Sequence, residues 1–219
     1  MDTKLPGAEL DEPTPVSEQG ADRIRQACRA LAAGEAVVLS DDRESSLVLL
    51  SSAATPAAVS RLIKAGSGLL FVAVEQDRLR QLRIPPMATD HHSPSSRFHV
   101  AVDAAVGIGT GISATDRART VRMLSDPDCG IDDFVRPGHV IPVAADMKPP
   151  QAPGTPELTL ALGRLVAVDA APTATYCALT SEVDPRSVAG PEEAAAIARQ
   201  KGLAFILRED VLAAFYRAR

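Results

Sequence analysis

Two short polar clusters in this chain carry the residue types that acid–base chemistry needs. Asp41, Asp42, Arg43 and Glu44 run together directly after the apolar segment Ala36 to Ser40, and much further along come Arg136, Pro137, Gly138 and His139. Carboxylates beside a guanidinium at a strand end can orient a polar ligand and move a proton, and an imidazole on a Pro-Gly turn can serve as a general base. Each cluster also has a plainer reading. Acidic turns are usually solvated, and such an imidazole can simply satisfy a carbonyl. The glycine-rich stretch Gly107 to Gly111 enters a helical pattern from Ser113 to Leu124, with Asp116 in its first turn. A helix N-terminus of that kind can hold a phosphate, and the same glycines equally suit a tight turn. Asp90, His91 and His92 look like a metal cluster, although adjacent loop histidines are more often solvent-exposed.

Alternating helix and strand signals surround these clusters. Ser17 has N-cap chemistry for a helix carrying Ile24, Cys28 and Leu31, which Gly34 stops. Ala36 to Ser40 and Leu47 to Leu50 read as buried strands on either side of the acidic turn. Thr55-Pro56 has the cap and first-position chemistry of a helix running to Gly66. Leu69 to Val74 reads as a strand, Gln76 to Leu82 as a short helix, Phe98 to Val102 and Val140 to Ala144 as strands. The proline-rich stretch Lys148 to Pro156 is a loop. Leu158 to Val168 follows as a helix whose Leu158, Leu162 and Leu165 stripe is core. Thr173 to Leu179 and Ala204 to Leu207 read as strands, Pro191 to Lys201 and Glu209 to Arg217 as helices. Helices and strands mixed through one chain predict an α/β (α+β) fold, a mixed sheet covered by helices.

Composition excludes several classes. Apolar residues make up 46% of 219, with five Phe, two Tyr and no Trp, so the core must be aliphatic. The net charge of −5, with no basic cluster flanked by aromatics, argues against a nucleic-acid partner. No apolar run is long enough for a membrane span. Three cysteines without CxxC spacing read as reduced thiols, which suits the cytoplasm. Met1 to Ser17 is acidic and proline-containing, without the charge and apolar pattern of a secretion signal. Residues 1–17 are therefore expected to form a flexible arm, and residues 18–219 one domain.

Several spaced segments agree, in order, with one known family. GEAVVLSDDRES, ATPAAVSRLIKAGSGLLFVAV, LRIPPM, FHVAVDAAVGIGTGISATDRARTVRMLSDP and FVRPGHVIPV together resemble 3,4-dihydroxy-2-butanone 4-phosphate synthase, over roughly Ala21 to Tyr216. The resemblance implies a homodimeric, helix-covered α/β fold. It also implies a magnesium-dependent conversion of ribulose 5-phosphate into the butanone phosphate and formate.

Matching the family's site residue by residue gives an uneven result. Its acidic loop, Asp-Arg-Glu-Asn-Glu-Gly-Asp, is matched by Arg43, for substrate, and by Glu44, for metal. The next positions are Ser45, Ser46, Leu47 and Val48, so the second glutamate and the last aspartate are lost. His139 keeps the essential histidine, with Arg136 beside it. Thr110, Ser113, Asp116 and Arg117 are also retained. The second metal ligand, a histidine, falls at Thr155, and the arginine before it, which helps hold phosphate, has no counterpart in Gln151-Ala152-Pro153. A glutamate that should follow Cys177 is Ala178.

Magnesium wants near-octahedral oxygen ligation and acts only when held in place. With Thr155 at the imidazole position and three carboxylates gone, the parent reaction is expected to be lost or very slow. One reading is a diverged enzyme that binds a phosphorylated or polyhydroxylated small molecule. In it, Arg43 orients the ligand, Glu44 and His139 move protons, and Thr110, Arg136 and Thr155 contact the ligand. The other is a non-catalytic binding or regulatory subunit of a dimer. A pocket lined by Glu44, His139 and Arg136 would favour the first, and one filled by Leu47, Val48 or Thr155 the second.

Overall fold

The computed structural model describes residues 17–42, 44–88, 97–146, 153–166 and 173–218. Ser17 caps α1 (Glu18–Ala32), its Oγ accepting the Gly20 N–H at 3.0 Å. The hairpin β1 (Val37–Ser40) and β2 (Ser45–Leu50) follows, then α2 (Pro56–Ala65), whose Ala58 N–H donates to Thr55 Oγ1 at 3.1 Å. Next come β3 (Phe71–Glu75), α3 (Gln76–Gln81), β4 (Val102–Ala104), and α4 (Ala114–Ser125), capped by Ser113. The chain continues through β5 (Phe134–Ala145), α5 (Thr155–Val166), β6 (Ala174–Ala178), α6 (Pro191–Lys201), β7 (Ala204–Leu207) and α7 (Arg208–Arg217). Gly202, at φ +65°, closes α6 in the left-handed conformation that glycine adopts at low cost.

The strands form one mixed sheet in the order β4-β5-β3-β6-β2-β1-β7. β1 runs parallel to β7 and β3 parallel to β5, while the other neighbours are antiparallel. Strand periodicity of two splits the aliphatic side chains between two layers. Val38, Leu47, Leu49, Val72 and Val74 pack with α2, α4 and α6. Val37, Leu39, Val48 and Leu50 face α1, α5 and α7. Leu47 and Val48 are buried in these opposite layers, so they stabilise the sheet and do not plug a pocket.

Three expectations are corrected. Phe98 to Val102 is not a continuous strand, because its amides alternate partners: His99 N–H donates to Pro142 O and Val100 N–H to Pro85 O. Pro85 and Pro86 have no N–H to return, so only isolated bridges form there, and the strand is Val102–Ala104. Arg136-Pro137-Gly138-His139 is not a turn but the middle of β5. Val102 pairs with Val140 while the adjacent Asp103 pairs with Val135, so these four residues bulge out of the ladder. Gly138 N–H donates to Ala101 O at 2.8 Å, and a Cβ at Gly138 would lie 2.1 Å from the Val102 carbonyl carbon. Only glycine fits that approach. Finally, α5 begins at Thr155 and not at Leu158, because Pro156 is tolerated in a first turn. Glu157 Oε2 also accepts the Gly154 N–H at 2.9 Å. The expected arm (residues 1–16 of it), Asp90, His91 and His92 lie outside the described residues, as does Arg43.

Candidate active site

The β1–β2 turn builds the first half of the site. Asp41 N–H donates to Glu44 O at 3.0 Å, and Glu44 N–H donates back to Asp41 Oδ1 at 2.9 Å. This side-chain-closed turn fixes Glu44 at the end of β2. The N-terminus of α5 arrives opposite, and Thr155 Oγ1 donates to Glu44 Oε1 at 3.0 Å. Asp41 Oδ2 is 3.5 Å from the same hydroxyl, too long to compete for its single proton.

A cavity of about 560 Å³ opens beside this pair. Asp41, Glu44, Ser46 and Thr155 supply its polar lining; Phe71, Phe98, Tyr176 and Ala178 supply much of the rest. Phe71 stacks on Tyr176 at 5.3 Å between ring centroids and tilts against Phe98 at 5.7 Å. Burial pushes the Tyr176 phenol far above its ordinary range, and the charges of Glu157 and Glu44 push it the same way. Tyr176 is therefore a neutral hydroxyl at any physiological pH. Glu157 is buried and ion-paired with Arg97, which partly offsets its charge.

The family resemblance implies a metal held by a carboxylate and an imidazole, and of these the site offers the carboxylate, Glu44. At the second ligand position stands a neutral hydroxyl whose proton already serves Glu44. Among the described residues, no three His, Cys, Asp or Glu side chains gather closely enough to hold an ion.

His139 lies elsewhere on the same sheet. Its Nδ1 is 2.7 Å from Asp103 Oδ2, and its backbone N–H donates to Asp103 Oδ1 at 3.0 Å. Asp103 is 6% exposed and His139 38%, so a buried carboxylate fixes a ring that reaches solvent. That is the arrangement of a carboxylate that orients a proton-transferring imidazole. Gly111, at φ +85°, makes room: a Cβ there would sit 2.1 Å from Asp103 Oδ2 and 2.7 Å from His139 Nδ1. Its N–H donates to Asp116 Oδ2 at 3.1 Å, so the protein's own carboxylate occupies part of the glycine loop.

Of the expected site residues, the structure brings Glu44 and Thr155 together. It does not bring His139 or Arg136 to them. His139 on β5 is separated from β2 by β3 and β6. Three strand spacings amount to roughly 14 Å. Arg136 donates to Leu82 O at 2.6 Å and Phe134 O at 3.3 Å, holding the end of α3. Thr110 is exposed on the glycine loop. Sequence reading missed Asp103 because it ended the strand at Val102; a carboxylate directly after alternating apolar residues was the available signal. It also missed the Phe71, Phe98 and Tyr176 wall, whose members come from three separate segments and share no spacing.

Comparison with known proteins assigns the fold and the family. A family model of 3,4-dihydroxy-2-butanone 4-phosphate synthase matches residues 25–214. The riboflavin biosynthesis protein RibBA of Rhodococcus erythropolis is 38% identical over 198 residues, covering 88% of this chain and 46% of the relative. Its counterpart in Mycobacterium tuberculosis is 36% identical over 197 residues, covering 87% and 46%. The chain thus spans about half the length of these curated relatives. A crystal structure of 3,4-dihydroxy-2-butanone 4-phosphate synthase in complex with two magnesium ions superposes with a TM-score of 0.79 at 31% identity, covering 89% of this chain and 96% of that one. The two-domain synthase RibBX from A. baumannii gives a TM-score of 0.78 at 26% identity, covering 86% and 56%. This chain belongs to the 3,4-dihydroxy-2-butanone 4-phosphate synthase family.

Proposed function

We propose that this chain is a diverged family member in which the conversion of ribulose 5-phosphate to butanone phosphate and formate is lost or weak. It binds a sugar-phosphate-like or polyhydroxylated small molecule in the Glu44 cavity and carries out altered lyase- or isomerase-type chemistry. The observation that carries this reading is the Thr155 Oγ1–Glu44 Oε1 hydrogen bond at 3.0 Å. A hydroxyl there closes on the carboxylate that would otherwise share a dication. Ser46 and Ala178 stand in the cavity at positions without charge, so the successive proton transfers of an ene-diol pathway lack donors and acceptors.

What remains is still chemically competent. Glu44 can accept or release a proton, and His139, steadied by Asp103, can act as a general base. The cavity is lined by Glu44 but by neither His139 nor Arg136 of the same chain, so the enzyme reading rests on its open volume and on Glu44. Homodimerisation, which the family resemblance implies, would let His139 of one copy approach the Glu44 cavity of another. Exposed apolar side chains in segments near His139 support such a contact: Leu69 (54% exposed), Val106 (64%) and Ile112 (53%). The chain would work in the cytoplasm. Formate release from ribulose 5-phosphate, with magnesium supplied, tests the proposal: the expected result is no turnover above background. Robust formate production would overturn it.

A further inference from the structure

A second cavity, of about 710 Å³, opens on the opposite face of the sheet from α5 and Glu44. There α2 packs over β2 and β6 while α6 packs over β1 and β7, and the last turns of both helices line the space between them. Half-buried Ala36, Ala65 and Leu203 form an aliphatic floor above the buried Leu47 and Leu62. That volume suits a small molecule. The rim is cationic, in a chain whose net charge is −5. Arg61, Lys64 and Lys201 line it, and Glu35 is the one acid among its described lining residues. Lys64 and Lys201 stand in the last turns of their helices, where the C-terminal dipole favours a cation, and Lys201 also approaches Glu182 at 3.4 Å. Arg61 lies one turn earlier on α2, is exposed, and makes no ion pair or side-chain hydrogen bond among the described residues. Arg23, Arg97 and Arg164, by contrast, are each committed to a carboxylate. A guanidinium at the edge of an aliphatic floor offers parallel N–H donors to a carboxylate or sulfonate. Its methylene stem, with that of Lys64, extends the apolar wall.

We infer that this cavity is a second ligand site, for a small organic anion whose carboxylate or sulfonate rests on Arg61 and Lys64 and whose apolar body covers Ala36, Ala65 and Leu203. It shares none of its described lining residues with the Glu44 cavity, so the two sites can be filled together. The inference therefore stands apart from the proposed function.

Two probes with one ring system test it: 2-naphthoate and the uncharged 2-naphthalenemethanol, titrated calorimetrically into the full chain at physiological salt. Naphthoate is expected to bind about tenfold tighter than the alcohol, at one site per chain. Arg61→Gln should weaken naphthoate by about tenfold and leave the alcohol unchanged. Glu35→Gln, which removes the opposing carboxylate, should tighten naphthoate by about twofold, a gain that a misfolded variant would not give. Both positions are exposed, so neither substitution endangers folding. Glu44→Gln, on the other face of the sheet, should leave naphthoate binding as it is in the wild type. Equal affinity for the two probes would overturn the inference, as would no binding of either. So would a naphthoate affinity that moves with Glu44→Gln but not with Arg61→Gln and Glu35→Gln.

Discussion

Replacing Thr155 by valine isolates the contact on which the proposed loss of metal binding turns. Valine keeps the shape and removes the hydroxyl that donates to Glu44 Oε1, now 3.0 Å away. A hydrogen bond to a charged acceptor contributes about 1.5–3 kcal/mol when buried. Thr155 is 7% exposed, but Glu44 is only half-buried, so water recovers part of that loss. About 1 kcal/mol should remain. For a chain of this length that corresponds to a fall in Tm of about 2–4 °C. Glu44→Ala removes the acceptor, and the double-mutant cycle with Thr155→Val should return a coupling near 1 kcal/mol by calorimetry. The metal half of the argument is read in the same instrument. Thr155→His supplies an imidazole beside Glu44, and magnesium at ten times its Kd should then add about 1.4 kcal/mol of stability. Wild type should shift by less than about 1 °C. Zero coupling between Thr155 and Glu44, or an equal magnesium response in wild type, would refute the reasoning.

Two further outcomes follow from the backbone and from a buried imidazole. Gly111→Ala combines a φ of +85° with a Cβ placed 2.1 Å from Asp103 Oδ2, and should lose more than about 2 kcal/mol in urea unfolding. Gly68→Ala, at φ +82° with nothing within 4 Å, is the control and should lose only about 1 kcal/mol; equal losses would dismiss the packing role of Gly111. His99 is 2% exposed, and burial lowers its pKa below the ordinary histidine value. Above about pH 6.5 folded and unfolded chains both carry it neutral, and stability does not depend on it. Below that, the unfolded chain takes up a proton that the native site resists, so stability falls with falling pH until the native imidazole titrates. His99→Gln should flatten the Tm profile between pH 7 and pH 5, and an unchanged slope would assign that loss to other groups.

The fold was legible because its elements announce themselves locally. Thr55-Pro56, Ser113 and Ser17 carry cap chemistry that works over three residues, and all three cap helices in the structure. Pro191–Lys201 and Ala204–Leu207 were readable to the residue for the same reason: proline opens that helix and a left-handed glycine closes it. Reading failed where hydrogen-bond partners are distant in the chain. Pro137 and Gly138 signal a turn on any local criterion, yet β4 pairs with both flanks of that segment and carries it through the sheet as a bulge. Local propensity lost to a tertiary ladder.

The site divides along the same line. Glu44 and Thr155 are 111 residues apart, and their contact depended on the order of strands in the sheet, which no spacing encodes. Only the family pattern paired them, by placing both at metal positions. The pairing holds with a different partner: a hydroxyl donates a proton to the carboxylate at the position where the resemblance implies an imidazole ligand. Asp103 and His139, 36 residues apart, meet through the β4–β5 ladder and across Gly111, whose missing side chain is the space in which they touch. A glycine selected for that space reads, in sequence, as one more turn residue. Local signals therefore located the acid–base groups, while the environment that sets what those groups can do came from β-ladder neighbours. That environment is aromatic and acidic beside Glu44, and buried and carboxylate-anchored beside His139.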